Sequence, residues 1–183
     1  QCCLVGSEMC IRDRYNVLFI ADEIQTGIGR TGKLLASWHE DIIPDIVILG
    51  KALSAGFYPV SGVLTSKEIM SVMQVGSHGS TFGGNPLAGV VAKASIKYTL
   101  DYKLSENAEN LGKIFRDGLE VIKSRRKIIK GIRGKGLLNA IILDCDVKSK
   151  IPWNICLSMK DNGLLAKPTQ GNKIRFAPPL VIN

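Results

Sequence analysis

The sequence predicts an α/β fold in which a mostly parallel sheet is followed by a smaller α+β unit. Two apolar runs, VLFIA (17–21) and DIVILG (45–50), have the length and β-branched content of buried strands. Between them, KLLASWHED (33–41) is long enough for two or three helical turns before Pro44 ends it. Two strands joined by such a crossover are parallel, and the ligands of parallel sheets lie at the carboxyl ends of their strands.

Two helices are predicted after this sheet. The segment PLAGVVAKASIKYTL (86–100) begins with proline at a favourable first helical position. A longer amphipathic helix is expected after Ser105, because apolar residues recur there at helical spacing: Ala108, Leu111, Phe115 and Leu119.

The last third of the chain predicts the α+β unit. The segment GLLNAIIL (136–143) has the pattern of a strand, and PWNICLSMKDNG (152–163) that of a helix closed by asparagine and glycine. The segment 164–179 predicts two short strands around the turn Gln170-Gly171-Asn172. We place the boundary between the two units near Lys103.

Composition narrows the class of protein. Of the 183 residues, 45% are hydrophobic and 22% are charged, as in ordinary globular proteins. No stretch approaches the roughly 18 apolar residues of a membrane span, and residues 1–14 lack the order of a signal peptide. Five cysteines form no C-x-x-C pair, which favours reduced thiols. We therefore expect an intracellular protein that is not secreted and binds no membrane; its compartment, the cytoplasm or the mitochondrial matrix, stays open.

The formal charge of +8 comes largely from the basic run KSRRKIIKGIRGK (123–135). Such a run could bind phosphates or an acidic partner. A solvated helix end is the more favoured interpretation, because no aromatic residues alternate with the charges to stack on bases. We expect no nucleic-acid partner.

The segment GIGRTGK (27–33) has three interpretations. It fits the G-x-G-x-x-G fingerprint of a dinucleotide-binding loop, but DEIQT separates it from the strand and brings two carboxylates. It nearly fits a P-loop, but Leu34 stands where a hydroxyl must ligate magnesium. The third interpretation is a loop that needs unusual backbone angles, and it leaves the chemistry to residues at the strand ends.

Asp22 and Lys51 stand at the ends of the two predicted strands. An enzyme that carries amino groups needs a lysine that condenses with an aldehyde cofactor and an anion that keeps the cofactor's pyridine nitrogen protonated. If the strands are parallel, both side chains leave the same edge of the sheet. The chain has sixteen lysines, however, and an acidic residue after a strand is most often a turn former.

The stretch from residue 15 to 183 resembles the class III, fold-type-I aminotransferases, which depend on pyridoxal 5'-phosphate. The matching blocks are YNVLFIADEIQTGIGRTG, PDIVILGKALSAGFYPVSGVL, HGSTFGGNPLAG, RGKGLLNAI and DNGLLAKPTQGNKIRFAPPL. YPVS and NGLLAKPT look like the family members that act on ornithine. Ala55 and Gln170 depart from the glycine and histidine expected there.

The resemblance implies roles for residues of the cofactor site. Lys51 matches the lysine that forms the Schiff base, Asp22 the partner of the pyridinium nitrogen, and Gln25 the residue beside the phenolic oxygen. Ser80 and Thr81 match the hydroxyl pair that reaches the cofactor phosphate of the neighbouring subunit. This pair implies a homodimer or higher homo-oligomer with shared active sites.

The resemblance also implies a reaction between small molecules, an amino acid and a 2-oxo acid. The δ-amino group of ornithine would pass to 2-oxoglutarate, giving glutamate semialdehyde and glutamate, with acetylornithine or 4-aminobutyrate as alternative donors. Arg175 matches the guanidinium that binds the substrate α-carboxylate, a task for which its planar fork of donors is suited. No metal is expected.

The resemblance divides the chain into three parts. Residues 1–14, QCCLVGSEMCIRDR, do not match and look like a translated sequencing adapter, so we expect a non-native leader. Residues 15–102 would belong to the large cofactor-binding domain, and residues 103–183 to the small C-terminal domain. Family members are more than twice this length, so we expect the fragment alone to be inactive.

Overall fold

The computed structural model describes residues 12 and 14–183, which divide into two compact units. The first unit comprises the described residues up to Ile28 together with Lys33–Tyr102, and the second comprises Gly29–Gly32 and Lys103–Asn183. Except for Arg12 and Arg14, the expected leader lies outside the described residues.

The first unit contains a three-stranded sheet of order β1-β2-β3, formed by β1 (Ile20–Asp22), β2 (Ile46–Leu49) and β3 (Gly62–Thr65). β1 and β2 are parallel, as predicted. β3 was not predicted from the sequence, and it pairs with β2 in antiparallel orientation.

β1 is shorter than the predicted strand at residues 17–21. Residues 17–19 lie outside it, although the carbonyl of Phe19 already accepts hydrogen bonds from the amides of Asp45 (3.0 Å) and Ile46 (3.1 Å). Among the described residues, β1 pairs with a strand on one side only. It therefore has few backbone hydrogen-bond partners that could lengthen it.

The crossover between β1 and β2 is less helical than predicted. Residues 33–41 were expected to hold two or three helical turns, but only Ala36–Glu40 is helical, as a five-residue 3-10 helix. Leu35 is extended before it, and Asp41 ends it in the left-handed conformation with φ of 53°. The Glu23 carboxylate accepts a hydrogen bond from the amide of Ser37 (2.8 Å), so a tertiary contact fixes the first turn.

Residues 16–102 of the first unit contain two α-helices: α1 (Lys67–Met70) and α2 (Pro86–Asp101). The second confirms the prediction of a helix from Pro86, and the Asn85 side chain caps it by accepting from the amide of Ala88 (2.9 Å). The core beneath this helix consists of buried apolar side chains with partly buried ones packed against them: Ile28, Leu49 and Leu53 with Ala92 and Ile96.

The second unit is an antiparallel sheet with two helices. The helices are α3 (Leu104–Arg125) and α4 (Ile151–Asp161); the strands are β4 (Ile129–Lys135), β5 (Leu138–Leu143), β6 (Lys167–Thr169) and β7 (Lys173–Phe176). The strand order is β4-β5-β7-β6. The amphipathic helix, the strand 136–143, the helix 152–163 and the two short strands were all predicted. Their inner faces bury a core of Leu119, Ile129, Ile141, Leu143, Cys156, Ile174 and Phe176.

The basic run 123–135 is not the single solvated helix end that was expected. Its first residues finish α3, whereas Ile129–Lys135 forms β4, an outer strand of the sheet with Ile129 in the core. Exposed Lys130, Arg133 and Lys135 on this strand oppose pairing with another chain.

Two expectations from composition can be compared with the described residues. None of the helices in this part of the chain combines the length and apolar character that crossing a membrane would require. Cys145 and Cys156 are both free thiols, as expected. Cys2, Cys3 and Cys10 lie outside the described residues.

Candidate functional site

Asp22 and Lys51 lie at the carboxyl end of the parallel strand pair. Asp22 is the last residue of β1 and is in register with Ile48 of β2, and Lys51 follows Ile48 by three residues. Both side chains are exposed. The parallel pairing therefore gives these two residues the common sheet edge that their sequence positions predict.

Lys51 lies at the start of a 3-10 turn, Lys51–Ser54, and its backbone is left-handed with φ of 45°. A left-handed conformation costs a residue with a side chain about 1–2 kcal/mol, so neighbouring contacts must hold it. The hydroxyl of Ser54 donates to the Lys51 carbonyl (2.7 Å) and accepts from the amide of Gly56 (3.1 Å). The hydroxyl of Ser95 on α2 donates to the carbonyl of Ala52 (3.0 Å).

A cavity of about 640 Å³ opens beside this turn, and it is lined by Lys51, Ser54 and residues 56–61. Its volume is in the range of cavities that bind small organic molecules and cofactors. An amine on its wall is accessible to a ligand that enters. The Lys51 side chain is thus exposed and also lines the cavity.

Asp22 ends β1 and Gln25 lies in the turn that follows, and both side chains are exposed. The Asp22 carboxylate accepts a hydrogen bond from the amide of Ile24 (3.1 Å). Between them, Glu23 is only 3% exposed, and its carboxylate accepts from the hydroxyl of Thr26 as well as from Ser37. The alternation of a strand places Glu23 inward where Asp22 points outward.

Glu23 and Ser54 were missed by the sequence analysis. Each is a buried polar residue whose hydrogen bonds fix the turn that carries a candidate residue. The available signal for Glu23 was its place next to Asp22 at a strand end. Nothing in the sequence distinguished Ser54 from other serines.

Ser80 and Thr81 lie in the exposed loop before α2. The Ser80 hydroxyl accepts from the amide of Gly83 (3.0 Å), and a side chain at position 83 would overlap Ser80. Ser80, but not Thr81, lines a second cavity of about 440 Å³. Residues 58–61 line both cavities, so this segment connects the Lys51 wall with the Ser80 loop.

Arg175 belongs to the second unit. It lies on β7, half-buried, opposite Ala140 of β5 and Lys167 of β6. The central position of β7 between two strands gives the guanidinium a rigid support.

The segment Gly29–Gly32 packs within the second unit. The Arg30 carbonyl accepts from the amide of Leu137 (3.0 Å), and its guanidinium donates to the carbonyls of Leu137 (3.3 Å) and Pro178. Burial lowers the pKa of this guanidinium. Gly29 and Gly32 have φ of 87° and 99°.

This geometry favours the third interpretation of GIGRTGK, a loop that requires unusual backbone angles. A dinucleotide-binding loop or a P-loop leads directly into a helix whose first amides face the phosphates. No helix begins at Lys33, since the next helical residue is Ala36. The glycines of this loop instead allow positive φ angles and close packing of the backbone.

The family model "Aminotransferase class-III" matches residues 7–183, and so begins within the segment 1–14. Among curated proteins, the chain is 52% identical over 176 residues to "Ornithine aminotransferase, mitochondrial" of Drosophila melanogaster, covering 96% of this chain and 39% of that protein. The same name belongs to a Rattus norvegicus protein, 52% identical over 179 residues, with the same coverage of each chain.

Solved structures agree with the match to the family model and to the curated relatives. The acetylornithine aminotransferase of Elizabethkingia anophelis is 59% identical, with a TM-score of 0.92, covering 97% of this chain and 44% of that one. The ornithine aminotransferase of Toxoplasma gondii ME49 is 48% identical, with a TM-score of 0.90, covering 97% and 42%. A second Toxoplasma gondii structure is described as having partial occupancy of PLP at its active site.

These likenesses confirm the expected fold class, because the neighbouring structures are class III aminotransferases with closely similar backbones. The chain spans about 39% of the length of the curated relatives it matches. Three findings agree in one conclusion. The family model covers nearly the whole chain, the relatives are about half identical to it, and Asp22 and Lys51 lie at one edge of the sheet. The chain belongs to the class III aminotransferases, a family of pyridoxal-phosphate-dependent enzymes.

Proposed function

We propose that the protein transfers the δ-amino group of L-ornithine to 2-oxoglutarate, giving glutamate semialdehyde and glutamate. The observation that carries the proposal is the parallel register that brings Asp22 and Lys51 to one edge of the sheet, with Lys51 on the wall of a cavity. Curated relatives at 52% identity bear the name ornithine aminotransferase, which supports ornithine as the amino donor.

The chemistry of the residues in the first unit fits the cofactor. An exposed primary amine suits its aldehyde, a carboxylate suits a protonated ring nitrogen, and the Gln25 amide can donate to a phenolic oxygen. Bound pyridoxal phosphate supplies a carbon that links to amines and a ring that withdraws electrons from the adjacent carbon.

Each residue then has a defined task. Asp22 holds the proton on the ring nitrogen, because an anion nearby favours the charged form of a base. With the cofactor bound, the Lys51 amine would move a proton between the substrate carbon and the adjoining cofactor carbon. Arg175 binds the substrate α-carboxylate through two parallel hydrogen bonds.

The Ser80 and Thr81 hydroxyls support a shared site in a homodimer or higher homo-oligomer. Both are exposed in the first unit, where they can donate to a phosphate held by a second copy of the chain. We propose residues 15–102 as part of the large cofactor-binding domain and 103–183 as part of the small domain. The word mitochondrial in the names of relatives supports the mitochondrial matrix, with the cytoplasm as the alternative compartment.

The borohydride test addresses the role of Lys51. Holoenzyme from the complete gene product is reduced with borohydride, and the modified peptide is identified by mass spectrometry. We expect the cofactor on Lys51 and its loss in Lys51→Ala, whereas Lys93→Ala, an exposed lysine of α2, should retain it. A reducible cofactor linkage that survives in Lys51→Ala would refute the assignment.

A second donor, N-acetylornithine, is favoured by one observation: the 59% identity to the Elizabethkingia anophelis enzyme. Values of kcat/KM for ornithine, N-acetylornithine and 4-aminobutyrate decide between the donors. Ornithine should lead by at least about tenfold, since each missing or additional charged contact is worth about 1.4 kcal/mol or more. Preference for N-acetylornithine would replace ornithine while leaving the family's chemistry intact.

We also propose that residues 1–183 alone are inactive. The chain spans about 39% of the curated relatives, and all the residues that line the cavity beside Lys51 come from one short segment, residues 51–61. Purified residues 1–183 should show no ornithine-dependent formation of glutamate semialdehyde when supplied with pyridoxal phosphate. Turnover at the rate of the complete gene product would contradict this proposal.

A further inference from the structure

We propose that Ser54 and Ser95 are positioning residues for Lys51: their hydroxyls hold the turn from which the lysine amine reaches into its cavity. The inference rests on the proposed role of Lys51 and adds two residues that act through it. It follows from the backbone of the turn and from the hydrogen bonds around it.

The turn needs external support because its first residue is left-handed. Lys51 has φ of 45°, a conformation that residues with side chains rarely adopt. Such a conformation persists only where surrounding contacts determine it. A lysine side chain is long and flexible, so the position of its α-carbon sets the region that the amine explores.

Ser54 supports the turn from within. Its hydroxyl donates to the Lys51 carbonyl and accepts from the amide of Gly56, so one side chain fixes both ends of the turn. Ser54 is 9% exposed, which limits the access of water to compete for these bonds. Leu53 next to it is buried in the core, whereas the Lys51 side chain is exposed.

Ser95 supports the same turn from α2. Ser95 is 8% exposed, and its hydroxyl donates to the carbonyl of Ala52, which lies 43 residues earlier in the chain. The hydroxyl of Thr99 in turn donates to the Ser95 carbonyl (3.0 Å). Because Ala92 and Ile96 pack against the core around Leu53, the helix presents Ser95 at a fixed place.

The chain contains a matched serine that lacks these features. The Ser71 hydroxyl donates to the carbonyl of Glu68, three residues earlier, at 2.6 Å. The bond has the same spacing as the one from Ser54 to Lys51, but it lies in an exposed turn after α1. Ser71→Ala therefore removes the same chemical group without touching the Lys51 turn.

The test measures how fast the cofactor links to Lys51. Holoenzyme variants are stripped of cofactor, pyridoxal phosphate is added back, and samples are quenched with borohydride for peptide mass spectrometry. In Ser54→Ala the rate of labelling at Lys51 should fall about 3- to 10-fold, the effect of one neutral hydrogen bond. Labelling at exposed Lys67, with excess reagent, should be unchanged, and so should Lys51 labelling in Ser71→Ala.

Two further variants separate positioning from general stability. Ser54→Thr keeps the hydroxyl and should restore at least half of the lost rate. Ser95→Ala should also slow labelling at Lys51. If Ser54→Ala does not fold, Ser95→Ala replaces it, and its labelling rates at Lys51 and Lys67 are compared in the same way.

The outcomes are distinguishable. Wild-type labelling of Lys51 in both Ser54→Ala and Ser95→Ala would overturn the positioning role while leaving the proposed function in place. Equal slowing at Lys51 and Lys67, without rescue by threonine, would also overturn it. Persistence of the reducible linkage in Lys51→Ala would instead refute the proposed function itself.

Discussion

Lys51 begins the 3-10 turn Lys51–Ser54 and Ala55 directly follows it, and both have a left-handed backbone, with φ of 45° and 49°. The turn therefore begins on, and is followed by, a residue with a side chain in a conformation that glycine adopts more readily. At position 55, the family resemblance leads one to expect glycine, and the structure supplies the physical reason for that preference.

Ala55→Gly should stabilise the protein by about 0.5–1 kcal/mol. Relief of the left-handed alanine gains about 1–2 kcal/mol, and the greater freedom of glycine in the unfolded chain offsets about half of that. The free energy of unfolding from urea titration measures the change. As the control, Ala94→Gly in the exposed middle of α2 should cost about 1 kcal/mol. Equal destabilisation by both changes would contradict the prediction.

Gly112→Ala should destabilise the second unit by about 1–3 kcal/mol. A side chain at position 112 on α3 would overlap the backbone carbonyl of Gly136, which cannot yield as a flexible side chain does. Gly118 lies on the same helix with nothing near its missing side chain, so Gly118→Ala should stabilise by about 0.5–1 kcal/mol. Thermal unfolding of both variants tests whether the two changes have opposite signs.

Arg175→Lys should raise KM for the amino acid by about tenfold or more. Lysine keeps the charge but loses the second parallel hydrogen bond to a carboxylate, and charged hydrogen bonds are worth about 1.5–3 kcal/mol. Steady-state kinetics on the complete gene product give the measurement. Arg133→Lys, the same change on exposed β4, should leave KM unaltered. An unchanged KM in Arg175→Lys would remove Arg175 from the substrate site.

Cys156 should make stability fall at alkaline pH. Burial raises the pKa of its thiol, so the folded protein keeps this proton to higher pH than the unfolded chain does. The contribution is fully present below the unfolded pKa of about 8.5 and is lost as pH rises through the higher folded value. The loss of unfolding free energy between about pH 8 and 10 should be shallower in Cys156→Ala. Parallel pH profiles for the two proteins would refute this.

Much of the fold follows from local pattern. The helix from Pro86 was predictable because proline at the first position and the Asn85 cap act within one turn. The two short strands around Gln170 were predictable because Gly171 supplies a left-handed turn residue with φ of 76°.

The errors share a different cause. β3 and β4 have mixed or basic sequences, and they are strands because a neighbouring strand satisfies their backbone groups. The segment 33–41 has the composition of a helix, but the carboxylate of Glu23 holds Ser37 in a short 3-10 turn. Such contacts join residues distant in sequence, and no local pattern records them.

The sequence by itself determined the family, the parallel strand pair, and Asp22 and Lys51 as candidates at its edge, because strand periodicity and the matching blocks are local properties. Only the tertiary structure decided what holds those residues. The buried hydrogen bonds of Glu23, Ser54 and Ser95 fix the turns, since a polar group removed from water must find its partner wherever the fold places one.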